Sequence, residues 1–408
     1  MRTRLLPLRS QSFLRPLRIA FSAGLVVVLV LASAPSTADG PTPPDPRYRT
    51  AMLAFTGDLL PHLPVVKFAR YYARVPHFPG SIASIIQPPE MYATWETRAD
   101  RQYDFAPMFE QVAPELRAAD LAICHLESTI SSQAPRGYPR FRTPPELVEA
   151  IAQSGWDGCS LASNHSMDYG VDGVSQTIEA MAANHLESAG TSLDEQSRGA
   201  AHYQVNGIRI AHLSYTYGLN GFRLPKNQQW WVNLIDVDII QADAAAARAE
   251  GAEFIIASLH WGSEYQPMPT YHQKRTAKEI AATGAVDLLV GHHAHVIQPI
   301  DRIGDLWVVY GLGNFLSNQP WPRSRDGAIL HVEIGDTPEG VMVKSISYTP
   351  TWVDRPRMQV VALANRLLDP DLDSGHRVTL RQSWSRTVRA FEAMGAQYPW
   401  VKPAVSPP

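Results

Sequence analysis

An α/β fold is predicted by three features of the chain. Apolar runs of strand length recur along it and are separated by segments whose apolar residues fall at helical spacing. Runs such as Val286-Asp-Leu-Leu-Val290 are almost continuously apolar, as expected of strands in a parallel sheet covered on both faces. Most of the runs end in Asp, Glu, Asn or His, at the edge where open α/β sheets place their ligands.

Taken in order, Ala51 to Asp58 is the first such strand and delivers Asp58 after a Gly. Residues 61 to 104 are rich in Pro, Tyr and Arg and read as a long loop or insertion over the site. Met108, Phe109, Val112 and Leu116 predict a helix over 107–119. Asp120 to Ser128 is a second strand, ending in His125 and Glu127, two apart and therefore on one face. A short helix over 146–153 precedes a third strand, Trp156 to His165, which ends in Asn164-His165. Val174, Ile178 and Met181 mark a helix over 171–186 whose start at Gly170-Val-Asp172 offers an N-cap. Asn206-Gly207 predicts a hairpin turn within residues 201–216. An Ala-rich helix over 239–250 leads to the strand from Phe254, which ends at His260 with Glu264 close behind. A helix over 271–283 then feeds Asp287 to Gln298, where three histidines fall within four residues. His293 and His295 share a face if the chain is locally extended there. Trp307 to Phe315 ends in Gly-Asn314, two further strands cover 328–334 and 341–349, and a terminal helix falls near 373–394.

The 408 residues, 45% of them hydrophobic, suffice for one large or two medium domains, and a net charge of -3 gives no reason to expect a nucleic-acid partner. The dense basic run, Arg2, Arg4, Arg9, Arg15 and Arg18, precedes the uncharged apolar segment Ile19 to Ala34 and a small-residue boundary. That pattern over residues 1–38 reads as a signal peptide, with a signal anchor as the alternative, and either places the folded part outside the cytoplasm. Residues 39–47 read as a Pro-rich spacer, 48–355 as the main domain and 356–408 as a C-terminal helix and tail. Cys124 and Cys159 lie in apolar strand-like runs and read as buried small hydrophobes, a single disulfide being the alternative.

Five strands thus direct Asp58, Glu127, Asn164, His165, His260, His293 and His295 to one sheet edge. Asp58, Glu127, Asn164, His260, His293 and His295 form a mixed oxygen and nitrogen donor set suited to one or two divalent ions such as Mn, Zn or Fe. His165, beside Asn164, is the candidate general acid, and Glu264 and Asn314 are further candidate catalytic groups.

Thr56-Gly-Asp58, His125-Leu-Glu127, Ser163-Asn-His165 with Asp168-x-Gly170, His260-Trp-Gly-x-Glu-Tyr265, Gly291-x-His-x-His-Val-x-Gln298 and Leu312-Gly-Asn-Phe315 together resemble the CapA family of capsule synthesis proteins. The resemblance covers about residues 50 to 320. It implies a layered α/β/β/α sandwich with mixed sheets, like that of calcineurin-like metallophosphoesterases. It also implies an extracytoplasmic role in poly-γ-glutamate capsule synthesis or export, with metal-dependent hydrolase chemistry. The implied partners are a polyanionic capsule polymer or its precursor and a membrane synthase complex. The alternatives are a non-catalytic assembly or export factor that retains the pocket, and a general metallophosphoesterase. Two departures stand out. Family members more often have Asn-Leu-Glu and Asn-Asn-His where this chain has His125-Leu-Glu127 and Ser163-Asn-His165. The phosphoesterases usually open with Asp-x-His, whereas position 60 is Leu, which removes one ligand from a two-ion site.

Overall fold

A computed structural model describes residues 48–74, 102–394 and 401–405; the signal and spacer readings fall outside them. In chain order its strands are β1 (Thr50–Leu60), β2 (Leu121–Leu126), β3 (Thr129–Ile130), β4 (Arg142–Thr143), β5 (Gly158–Ser160) and β6 (Glu187–Ala189). They continue as β7 (Ala201–Val205), β8 (Ile208–Thr216), β9 (Phe254–His260), β10 (Leu288–His292), β11 (Ile297–Ile303) and β12 (Leu306–Leu312). The last are β13 (Asn314–Ser317), β14 (Asp326–Thr337), β15 (Gly340–Asp354), β16 (Gln359–Ala362) and β17 (Val401–Pro403).

Two mixed sheets result. One runs β16-β15-β14-β1-β2-β5-β6, with β13 beside β1 and β17 beside β15. Its β1, β2, β5 and β6 are parallel, and β14 lies antiparallel to β1. The other runs β11-β12-β10-β9-β8-β7, parallel through β8, β9, β10 and β12, with antiparallel edges.

Strand alternation explains how the sheets stack. Leu53, Phe55 and Ile123 of the first sheet share a buried core with Ile210, Phe254, Ile256, Leu288 and Val290 of the second, so these faces meet. The opposite face of the first sheet, through Ala54, Ala122 and Cys124, packs on the helices Leu63–Tyr72 and Glu146–Ser154. The opposite face of the second, through Ala211, Leu213, Ile255 and Ala257, packs on Val237–Ala249 and Tyr271–Thr283. The layers are therefore α/β/β/α, as expected.

Local chemistry fixes several boundaries. Asn206 and Gly207 both have positive φ, 49° and 80°, as a two-residue hairpin turn with right-handed strand twist requires. Thr270 and Gln273 form a reciprocal capping box at the start of Tyr271–Thr283. Asp236 caps Val237–Ala249 by accepting from the amides of Asp238 and Ile239. The terminal helix Ser374–Glu392 lays Phe391 against Tyr348, with ring centroids 4.5 Å apart. Among the described residues no helix is long and apolar enough to cross a membrane.

Four expectations are corrected. The 61–104 segment begins as the helix Leu63–Tyr72, with Pro64 in its first turn, rather than as loop. The single helix over 107–119 is two short ones, Ala106–Phe109 and Ala113–Ala118, because Pro114 lacks the amide needed to continue the first and instead starts the second. The strand to His165 stops at Ser160, and residues 161–169 turn back, hydrogen-bonded from Ser166 to Ser163 and from Asp168 to His165. Cys124 and Cys159 form a disulfide rather than remaining free thiols. They are direct partners on adjacent parallel strands, 4.4 Å apart at Cα, a pairing that depends on strand order and not on either local sequence.

Candidate metal centre

The alternation that builds the inner core also builds the site. Along β2, β9 and β10 the inward positions read Leu121, Ile123, His125; Phe254, Ile256, Ser258, His260; and Leu288, Val290, His292. They are apolar at first and polar at the C-terminal ends. Glu127 lies one residue past the end of β2, and Asp58 is brought in on β1 after a register shift between Phe55 and Asp58. Gly57 makes that approach possible, because a Cβ there would lie 2.0 Å from the Gly313 carbonyl oxygen. The Gly-Asp and Gly-Asn motifs are thereby locked together by a 2.9 Å bond from the Asp58 amide to that same oxygen.

All six expected metal-ligand candidates are buried and converge. His295 Nδ1 lies 3.1 Å from Asp58 Oδ2 and 3.8 Å from Glu127 Oε2. His260 Nε2 lies 3.0 Å from Asn164 Oδ1 and 3.6 Å from Glu127 Oε1. The His293 amide donates to Asp58 Oδ2 at 3.2 Å. His293 and His295 are not on an extended segment, however. Both have positive φ, 84° and 56°, a conformation rare for non-glycine residues and held here by that amide bond and by Tyr265 N–H donating to Ala294 O.

Of the proposed catalytic groups, His165 donates from Nδ1 to Asp168 Oδ2 at 2.8 Å, and the Phe141 amide holds the same oxygen. This leaves Nε2 of His165 as the ring nitrogen free to take up and deliver a proton. Asn314 Oδ1 is 3.0 Å from His295 Nδ1, while its Nδ2 donates to Gln319 Oε1 and Ser324 O, so it orients His295. Glu264 is exposed at the rim, bonded to Tyr265.

Sequence reasoning did not single out His292 or assign His125 to the site. His292 Nδ1 is 3.3 Å from Asp58 Oδ1, and its ring stacks on His125 with centroids 4.1 Å apart and planes 15° from parallel. Parallel rings keep their in-plane lone pairs from converging, so although Asp58, His125 and His292 are near one another they are poorly disposed to share one ion. His125 instead touches His260, with Nε2 2.9 Å from His260 Nδ1, and its own Nδ1 is 2.7 Å from Ser160 Oγ. The chain of donors can run from His260 Nδ1 to His125, from His125 Nδ1 to Ser160, and from Ser160 to Cys124 O at 3.3 Å. His260 Nε2 is then a bare lone pair facing Asn164 Oδ1, whose amide is turned that way because Nδ2 donates to Asn220.

The electrostatics follow from burial. Burial raises the Glu127 carboxyl well above its usual range against the opposing pull of His295, and lowers His125 and His260 well below theirs, with neighbouring imidazoles adding to that drop. Burial brings His293 down to about 3. His295 also feels burial, but the charges of Glu127 and Asp58 outweigh it and raise the ring to about 9. Burial likewise opposes ionisation of Asp58, yet its contacts to His292 and His295 hold it well below the carboxylate range.

Buried acceptors without donors test whether a metal fits. Both oxygens of Glu127, Oδ1 of Asp58 and Nδ1 of His292 and His293 are buried with no hydrogen-bond partner among the described residues. Two triads centre on the Glu127 carboxylate, Glu127–His293–His295 and Glu127–His260–His125, each with donor atoms within 4.8 Å of one another. His125 Nε2 is taken by His260, and His295 Nδ1 by Asp58 and Asn314, so the lone pairs left over are those of Glu127, Asp58 Oδ1 and His293 Nδ1, a mixed oxygen and nitrogen set of the kind a divalent cation satisfies.

Fold and site together define an α/β/β/α sandwich with a candidate metal centre at its strand ends. The sequence model of the bacterial capsule synthesis protein family PGA_cap matches residues 52–319, and the chain belongs to that family. Relatives include the PGA biosynthesis protein CapA of Bacillus subtilis, 31% identical over 56% of this chain and 61% of its own length. The capsule biosynthesis protein CapA of Bacillus anthracis is 27% identical over 58% and 59%. The chain thus spans about three fifths of these two proteins. Similar solved structures include Haemophilus influenzae NAD nucleotidase, at 11% identity and TM-score 0.45, covering 83% of this chain and 63% of that one. The calcineurin-like phosphoesterase YfkN of Bacillus subtilis matches at 13% and TM-score 0.43, over 83% and 98%.

Proposed function

We propose that this protein acts outside the cytoplasm on the poly-γ-glutamate capsule polymer or a precursor, by metal-dependent hydrolysis alongside the membrane synthase. The observation that carries the chemistry is the pair of donor-less, fully buried oxygens of Glu127 between His260 and His295. Asp58, Glu127, Asn164, His260, His293 and His295 would hold one or two ions of Mn, Zn or Fe type. Such an ion activates water and polarises the bond to be broken. His165, aligned by Asp168, supplies the proton to the leaving group. Support for the location comes from the signal-type pattern over residues 1–38 and from the Cys124–Cys159 disulfide, which persists in oxidising compartments. Support for the polymer comes from the family and from the names of its relatives.

The test is His165→Ala, assayed for metal content and for turnover of γ-glutamyl oligomers. Unchanged metal with a loss of roughly 10²–10⁴-fold in turnover is expected of a positioned acid. Full turnover in the variant would remove His165 from the chemistry. Polymer binding without turnover in the wild type, at any metal loading, would instead mark a non-catalytic assembly factor.

A further inference from the structure

A second concavity opens beside the loop that carries the histidines. Its walls come from Met268, from Val296 immediately after His295, from Arg323, and from Arg386, Thr387 and Arg389 of the terminal helix, and it encloses about 210 Å³. It shares its framework with the metal centre. Gln298 Nε2 donates to Gln266 O and Met268 O on one wall, and Asn314 Nδ2 donates to the carbonyl of Ser324, next to Arg323, on another. Met268 and Val296 lie within residues 52–319, which the family model matches, and Arg323 and the terminal helix lie beyond them.

Its charge is unbalanced. Three arginines and Asp326 line it, leaving two positive charges in excess on a chain whose net charge is -3. Asp326 is already engaged, accepting from Arg386 at 2.7 and 2.8 Å and from Ser383 at 2.5 Å. Arg323 and Arg389 are exposed and have no side-chain partner among the described residues. Thr387 is fully buried, and its hydroxyl has no hydrogen-bond partner there. Two unpaired guanidinium forks lining one concavity present donors matched to a carboxylate.

We infer that this concavity is an anion subsite that holds a side carboxylate of an acidic polymer while a neighbouring part of the same chain reaches the metal centre. The volume suits one small group, since whole small-molecule ligands usually occupy roughly 300–1,000 Å³. Arg323 and Arg389 both line the concavity and offer their free guanidinium groups to such a carboxylate. A polymer with a carboxylate on each residue provides such a group in every register. The inference rests on the polymer reading above and deepens it.

The experiment titrates the intact protein with poly-γ-glutamate oligomers by calorimetry, comparing wild type, Arg323→Ala/Arg389→Ala and Thr387→Val. Inorganic phosphate and a neutral polyglutamine peptide serve as competitors, and metal content is measured on each sample. The double variant should bind the oligomer roughly tenfold more weakly, the expected loss for two part-exposed charged contacts, with metal content unchanged. Thr387→Val, which changes only a fully buried hydroxyl, is the control and should bind as the wild type does. Oligomer binding by the wild type with equal affinity in the double variant would overturn the subsite and leave the polymer reading intact. No oligomer binding by the wild type would overturn both. Displacement by phosphate at equal anion concentration would reduce the concavity to a simple inorganic-anion site and overturn the polymer assignment.

Discussion

Replacing Glu127 by Gln should change stability in opposite directions with and without metal. Glu127 is fully buried, and the nearest imidazole nitrogens, 3.6 and 3.8 Å away on His260 and His295, are too far to hydrogen-bond its oxygens. In metal-stripped protein this carboxyl is a buried polar group without donors, which costs about 1–3 kcal/mol and more when ionised. Gln keeps the shape and stays polar but cannot ionise, so the stripped variant should be more stable than stripped wild type by the cost of the buried charge alone. With a divalent ion at a hundredfold excess over its dissociation constant, wild type should gain about 2.7 kcal/mol from mass action, and the Gln variant should lose most of that gain. The difference between the two proteins should therefore swing by about 2–3 kcal/mol between chelator and metal. Urea unfolding in EDTA and in saturating manganese measures both terms. Equal destabilisation of the variant in both conditions, or a wild type indifferent to metal, would refute a cation at Glu127.

Three further outcomes follow from the same geometry. His125→Phe fills similar space but cannot accept from His260 Nδ1, so metal affinity should fall by roughly 10–100-fold in equilibrium dialysis although no proposed ligand is changed. His212 is fully buried with its ring bonded to Ser258, and burial lowers it from 6.5 to about 3. As pH falls below 6.5 the unfolded chain takes up a proton that the folded one refuses, so stability falls by about 1.4 kcal/mol per pH unit from this residue. Replacing His212 with Asn should flatten the pH dependence of urea stability between pH 6 and 4 by that amount. Cleaving the Cys124–Cys159 bond, which closes a separation of 35 residues, should cost about 3–4 kcal/mol in the chain-entropy account, measured by unfolding with and without reductant.

What the sequence reveals and what it hides both trace to strand parity. Continuous apolar runs identify buried parallel strands, and the polar residues that end them mark the site edge, because a residue two positions beyond an inward-facing Leu or Ile also faces inward. By that rule Leu288, Val290 and His292 form one inward row, and His292 was legible. Taking His293 and His295 as the row instead assumes an extended chain. Their positive φ values show that it turns, and the turn depends on Asp58, more than two hundred residues away in sequence. The same distance effect hides the disulfide, since Cys124 and Cys159 become neighbours only because β5 lies next to β2. It also hides the role of His125, whose partner His260 stands on the other sheet. Residues whose function is set by their own strand can be read from local pattern; those whose function is set by the approach of the two sheets cannot. The Glu127 triads and the arginine-lined concavity beside them belong to the second kind, because each draws on elements distant in sequence that meet only when the layers close.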